Sequence, residues 1–399
     1  MAVELTWNDF IEETDKKQYK LEKELPLKKR PSYFLISEDN YPALKALAQF
    51  KKEFVNLIYI DPPYNTGKKI FTYNDNFISK KKKTEQDSDR HSIWLSFMQR
   101  RLSLAQELLS KDGCIFISIG QEELYVLKLL CDKIFGEENF INDFMYLHGK
   151  GKKDLFSRTL QQSTLCYAKD KKNLKPFCDC KESNWAKSNL DNDKRGNWFS
   201  GSVSFSEKRS NKNHKNYYAI TSPSGITWLR QWFYSEEKMK MLIEQNKIYW
   251  GKAPEYDQVP REKIFNGEEK EIIPQNIIDS VQSTRNAQNY LDSLLEEKNS
   301  FDNPKPVDLI EHLIKITNMK KNITVLDFFA GSGTTLEAVF NLNKKDGGKR
   351  NCILIQKPEP ISNGKSRYKN IAELCKARAL KVLGNSNVLQ ECIIKEVKD

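Results

Sequence analysis

The tetrapeptide Asp61-Pro62-Pro63-Tyr64 places a carboxylate, two prolines and an aromatic ring directly after Val55 to Ile60, an apolar run of strand length. Proline fixes φ and carries no backbone N–H, so the carbonyls of Asp61 and Pro62 remain acceptors beside a carboxylate that also accepts. An amino group with two donors matches this array, and Tyr64 adds a flat face on which a planar ring could stack. Two prolines also suffice to end a strand with a locally packed tyrosine. The tetrapeptide alone therefore leaves both readings open.

A second constellation runs from Leu326 to Thr335: an apolar strand ending in Asp327-Phe328, the turn Phe329-Ala330-Gly331-Ser332-Gly333, and a helix start at Thr334. Glycines let a backbone turn sharply and approach a ligand closely. A P-loop is excluded because no Lys-Ser or Lys-Thr follows the glycines, and a dinucleotide fingerprint fails because Leu336 stands where its last glycine belongs.

Strands and helices must hold these two segments. Tyr33 to Ile36 reads as a strand, Tyr41 to Phe50 as a helix, Val55 to Ile60 as a strand, Ser92 to Leu109 as a helix, Lys111-Asp112-Gly113 as a turn, Cys114 to Ile119 as a strand and Glu122 to Phe135 as a helix. The pattern resumes with helix Val307 to Thr317, strand Thr324 to Phe328, helix Thr334 to Asn341, strand Cys352 to Gln356 and helix Tyr368 to Leu383. This alternation predicts an α/β fold with a mostly parallel sheet covered on both faces. Neither half is complete alone, so one sheet is expected to draw on residues 1–149 and 280–399, interrupted by an insert at 150–279.

That insert carries 24 Lys and Arg against 17 Asp and Glu, and five of the seven tryptophans (Trp185, Trp198, Trp228, Trp232, Trp250). Basic and aromatic side chains interleaved in this way suit phosphate contact with base stacking, or a small aromatic core. The whole chain has 399 residues and a net charge of +11, which favours a polyanionic partner, nucleic acid or anionic membrane. The eight cysteines are scattered, with no CxxC and no neighbouring histidine pair to complete a zinc site, so no metal is expected. No apolar run of about 18 residues occurs and the first residues are polar and acidic, which predicts a soluble cytoplasmic protein.

Taken together, the two motifs and their order resemble the β class of DNA amino-methyltransferases, in which a catalytic DPPY precedes a target-recognition insert and an FxGxG cofactor loop comes last. Asp39-Asn40 is similar to the family's GDN segment, with Glu38 in place of the glycine, and Asn303-Pro304-Lys305-Pro306 to its PKP segment. Phe328 replaces the family's common proline after Asp327. Asp61 to Gly67, Tyr73 to Phe77 and Ser283 to Ala287 are especially similar to modification subunits of type III restriction systems. The resemblance covers most of the chain outside the insert.

It implies a Rossmann-like methyltransferase fold with permuted motif order, S-adenosyl-L-methionine as cofactor, and the N6 amine of adenine in double-stranded DNA as acceptor, with N4 of cytosine, or a non-catalytic DNA-recognition subunit, as the alternatives. Asp61, Pro62, Pro63 and Tyr64 would be catalytic. Asp39, Asn40, Asp61, Lys305, Asp327, Phe328, Phe329, Ala330, Gly331, Ser332, Gly333, Thr334 and Glu359 would hold the cofactor, with Glu359 on its ribose hydroxyls. Lys80, Lys81, Lys82, Lys83, Lys152, Lys153 and Arg209 are the candidate DNA contacts. A homodimer and a restriction subunit are the partners the resemblance implies. His91, His148, His214 and His312 stand apart from the motifs and are expected in core or surface roles, and Trp94 and Phe97 on a packed helix face.

Overall fold

The computed structural model describes residues 5–27, 31–67, 86–147, 156–157, 159–182, 188–265, 269–361, 366–385 and 388–397. Lys80 to Lys83, Lys152, Lys153, His148, Trp185 and Tyr73 to Phe77 lie outside the described residues. The chain divides into two compact units, one of residues 1–177 with 274–399 and one of residues 178–273.

In the first unit, strands β1 (Tyr33–Ile36), β2 (Val55–Ile60), β3 (Leu109–Ile119), β4 (Phe140–Leu147), β5 (Gln161–Ala168), β6 (Ile277–Ile278), β7 (Thr324–Asp327), β8 (Asn351–Ile355) and β9 (Leu389–Cys392) form one sheet. Its order is β6-β4-β5-β3-β2-β7-β8-β1-β9. Every neighbouring pair is parallel except those of β5, which runs against both β3 and β4. The sheet draws on both ends of the chain, and it also takes β5 and β6 from within residues 150–279.

The helices that cover it are α1 (Asn40–Phe50), α2 (Gln86–Leu108), α3 (Leu124–Phe135), α4 (Thr284–Leu295), α5 (Val307–Ile316), α6 (Thr334–Asp346) and α7 (Ile371–Leu383). Alternate residues of a strand face opposite sides, and the cores divide accordingly. Phe34, Ile36, Ile58, Ile60, Leu326 and Ile353 pack with α1, α2 and α3. Tyr33, Leu35, Leu57, Tyr59, Val325, Cys352 and Leu354 pack with α5, α6 and α7. Strands buried on both faces are continuous apolar runs, which is why β2, β7 and β8 are legible from sequence.

Three expectations are corrected. Lys111-Asp112-Gly113 is not a turn but part of β3, which begins at Leu109. Gly113 marks a close backbone approach there, since a side-chain carbon would come within 2.9 Å of the Asn56 carbonyl oxygen. Second, β4 and β5 went unread because their sequences lack apolar alternation; the β5 hydroxyls are buried with partners, Ser163 Oγ donating to Asp143 at 2.9 Å and Thr164 Oγ1 lying 3.0 Å from Ser118 Oγ. Third, β5 belongs to the main sheet, so the separate unit (178–273) is narrower than the 150–279 insert.

That second unit has its own core of Val203, Ile220, Trp232, Met239, Leu242, Ile248 and Trp250, with Trp228 packed against it. It combines a three-stranded antiparallel sheet, Ile248–Tyr249, Arg261–Phe265 and Trp198–Ser202, with the hairpin Tyr217–Thr221 and Thr227–Gln231 and the helix Glu236–Glu244. Of the two readings of its aromatic content, the core accounts for Trp232 and Trp250. Buried Lys263 is ion-paired with Asp191 and Asp193.

Candidate active site

From β2 the chain proceeds to β3 on one side, and from β7 to β8 on the other. A reversal of strand order of this kind opens a crevice beyond the carboxyl ends of the two central strands, where ligands of open α/β sheets bind. Asp61-Pro62-Pro63-Tyr64 follows β2, and the glycine turn follows β7. The topology thus brings together two motifs that are far apart in sequence.

Several neighbours shape the tetrapeptide. Trp94 of α2 is fully buried and donates its indole N–H to the Pro63 carbonyl at 2.8 Å, so it is more than helix packing. Asn65 turns the chain with φ +57°, and its amide donates to Glu123 Oε1 at 2.5 Å. His91 is not apart from the motifs: its Nδ1 lies 2.7 Å from the same oxygen. Burial raises the Glu123 pKa, opposed by Asn65, His91 and Arg90. Gly120, just past β3, accommodates the Tyr64 ring, because a side-chain carbon there would come within 2.9 Å of it.

Both carboxylate oxygens of Asp61 are engaged. Tyr64 donates its hydroxyl to Oδ1 at 2.6 Å, and Lys305 Nζ lies 2.5 Å from Oδ2 and 3.0 Å from the Tyr64 hydroxyl. Gln162 of β5 also donates to that hydroxyl. Lys305 is 9% exposed, and its ammonium sits 5.4 Å from the centre of the Tyr64 ring. An N–H donor therefore already occupies the carboxylate expected to accept one.

Beside this knot lies a cavity of about 210 Å³. Its lining includes Asp39, Asn40, Asp61, Lys305, Asp327, Phe328, Phe329, Ala330, Gly331, Ser332, Thr334 and Glu359 of the sequence candidates. Gly333 is not on the lining; it makes the turn, with φ +84°, where an added carbon would meet Cys375 Sγ at 3.1 Å. Tyr59, Pro63, Phe97, Phe301, Asp302, Asn303, Thr335, Gln356, Lys357 and Ile371 complete the cavity. Of these, Gln356 accepts the Gly331 N–H at 2.6 Å. Arg209, the described DNA candidate, is exposed on the second unit.

Buried charges hold the cavity walls. Asp39 caps α1 by accepting the Tyr41 N–H at 3.0 Å and pairs with Lys357 at 3.1 Å. Burial works against its ionisation, but Arg101, the Tyr41 N–H and Lys357 keep the carboxyl below the usual range. Asn40 donates to the Phe328 carbonyl at 2.8 Å and accepts from buried Arg101 at 2.5 Å, tying α1 to the loop after β7. From α7, buried Arg378 reaches Ser332 Oγ at 2.9 Å, Thr334 Oγ1 at 2.8 Å and Glu337 at 2.8 Å. Asp327 accepts from Thr335 and the Phe329 N–H, yet burial, aided by nearby Asp61, pushes its pKa up to about 7. Sequence reasoning missed Arg101, Arg378, Gln162, Gln356 and Gly120, each isolated in sequence from the motif it serves.

Residues 55–364 match a family model described as DNA methylase, of the N6/N4 methyltransferase class. The chain is 34% identical to the type III restriction-modification enzyme StyLTI Mod subunit of Salmonella typhimurium, over 87% of this chain and 56% of that protein. It is 35% identical to the EcoPI Mod subunit of Escherichia phage P1, over 91% of this chain and 64% of that protein. To the type II methyltransferase M.KpnI of Klebsiella pneumoniae it is 31% identical, over 83% of this chain and 82% of that protein. It therefore spans less than two thirds of the length of either Mod subunit.

Proposed function

We propose that this chain, which belongs to the N6/N4 DNA methylase family, transfers a methyl group from S-adenosyl-L-methionine to the N6 amine of an adenine flipped out of double-stranded DNA. The observation that carries this reading is the Asp61 carboxylate at the switch point, next to Tyr64 and opening on the cavity under the glycine turn. The lining fits the cofactor by its chemistry: Asp39 and Glu359 can accept from sugar hydroxyls, Phe97, Phe301 and Phe329 offer apolar faces to a flat ring, and Lys305 is a cation for a carboxylate. When bound, the cofactor supplies an electrophilic methyl group on a sulfonium sulfur.

A base inside a duplex cannot reach such a site, and extruding it costs about a few kcal/mol of stacking and pairing. Stacking on the Tyr64 ring would offset roughly 1–3 kcal/mol. The exocyclic amine is a poor nucleophile because its lone pair is delocalised into the ring. Accepting its two N–H bonds at Asp61 and the Pro62 carbonyl turns the lone pair out of the ring and fixes its direction. Positioning of two bound reactants then contributes much of the rate. Asp61 rather than serine in the tetrapeptide supports adenine over cytosine.

Double-stranded DNA as partner follows from this reading, and relatives named as Mod subunits of restriction-modification enzymes support a restriction subunit as a further partner; a homodimer rests on the family resemblance alone. A cytoplasmic location suits the same role, and no helix among the described residues is long and apolar enough to cross a membrane. Methylation-sensitive sequencing of DNA from a host expressing the gene should report N6-methyladenine at a fixed motif; N4-methylcytosine there would overturn the adenine assignment. Asp61→Ala should abolish the mark while the purified variant still folds, and normal turnover in that variant would sink the role given to Asp61.

A further inference from the structure

The geometry points to Lys305 as the residue that couples the two substrates: its ammonium closes the Asp61 acceptor until an anionic group entering the adjacent cavity draws it away. The inference rests on the reading of Asp61 as acceptor of the target amine. As the chain stands, Lys305 Nζ spans Asp61 Oδ2 at 2.5 Å and the Tyr64 hydroxyl at 3.0 Å, while that hydroxyl holds Oδ1 at 2.6 Å. The carboxylate that must accept the amine and the ring that must stack on the base are locked to each other.

A neutral exocyclic amine cannot open this lock. An amine donating to the carboxylate also makes a charge-assisted hydrogen bond, but the ammonium adds the attraction of a full opposite charge, so the amine loses to it at Asp61. An anion competes on equal terms for Lys305. The same lysine lines the cofactor cavity, where the other walls are rich in acid: Asp39, Asp302, Asp327 and Glu359. Among the described lining residues the remaining cation is Lys357, which is 60% exposed and paired with Asp39. The carboxylate of the cofactor's amino-acid end therefore finds in Lys305 its partner of complementary charge. Once Lys305 turns to it, Asp61 Oδ2 is released for the base, while the Tyr64 hydroxyl keeps its hydrogen bond to Oδ1. Cofactor binding would then precede productive base entry, with Lys305 as a positioning residue acting through Asp61.

The test measures binding, not turnover. Affinity for a duplex carrying the motif found by sequencing is read by fluorescence anisotropy with saturating S-adenosylhomocysteine, with saturating 5′-methylthioadenosine, which lacks the amino-acid end, and with neither. In the wild-type chain S-adenosylhomocysteine should tighten DNA binding by about tenfold, and 5′-methylthioadenosine should leave it unchanged. Lys305→Met should bind the duplex without ligand as tightly as the wild type does with S-adenosylhomocysteine. Equal tightening by both ligands, no tightening by either, or the wild-type ratio preserved in Lys305→Met would each overturn the inference. The wild-type ligand pair decides the matter even if the variant folds poorly. A wild-type chain that methylates DNA but shows no such coupling refutes Lys305 alone, whereas one that methylates no DNA refutes the proposed function.

Discussion

Asp327 shows how one buried group ties chemistry to stability. Its carboxyl is enclosed at the end of β7, and burial pushes its pKa up from the ordinary carboxylate range to about 7. A carboxyl with a raised folded-state pKa holds its proton in the folded chain while the unfolded chain ionises. Its contribution is thus present at acid pH and is lost as pH rises from about 4 to about 7. Urea denaturation at a series of pH values should show this fall in the wild type and a flatter profile in Asp327→Asn; parallel profiles would exclude Asp327 as the source. A second single-residue case is Gly120, whose missing side chain makes room for the Tyr64 ring. Gly120→Val should displace that ring and lower kcat by about 100-fold while cofactor affinity, measured by calorimetry, stays unchanged.

At the scale of elements, the site depends on ties between helices and loops. The turn after β7 is held from outside by Arg378 of α7, which bonds Ser332 and Thr334 and pairs with Glu337 of α6. Both partners of that pair are nearly inaccessible to water, with side-chain exposures of 2% and 5%. Arg378→Met would leave the Glu337 charge buried without its partner, a change that costs about 3–5 kcal/mol in such settings. It should also weaken S-adenosylhomocysteine binding, since two hydroxyls of the turn lose their donor. Equilibrium denaturation and calorimetry measure the two effects separately, and an unaltered stability would show the pair to be dispensable. The helices and strands themselves were largely legible in sequence: β1, β2, β7 and β8 are apolar runs, and the helices follow from apolar spacing, although α7 begins at Ile371, after its cap Asn370, rather than at Tyr368. The strands β4 and β5 were not, because polar residues in them are buried through hydroxyl and carboxylate partners on other strands.

For the whole molecule, net charge bears on the proposed contact with DNA. The net charge of +11 makes phosphate attraction a large part of any DNA affinity. Log affinity for a motif-bearing duplex should fall linearly with log salt concentration, and an affinity insensitive to salt would argue against phosphate contact. The second unit, with its own core and exposed Arg209, is folded around tryptophans that composition alone could have assigned to base stacking. It is confined to 178–273 because β5 before it and β6 after it pair into the main sheet, which no local pattern announces.

By itself the sequence determined the chemistry on offer: an acceptor array after one apolar strand, a glycine turn after another, their order, and an α/β alternation to carry them. These are local properties, set by residues within a few positions of one another. The tertiary structure alone decided that β2 and β7 are neighbours, that β5 is reversed, and that Lys305 meets Asp61 across 244 positions of chain. Strand order and long-range ion pairs depend on how distant segments share one core, and sequence spacing carries no record of that. The same limit hid Arg101 and Arg378, which look like ordinary helix-surface arginines until the helices that carry them are packed on the sheet.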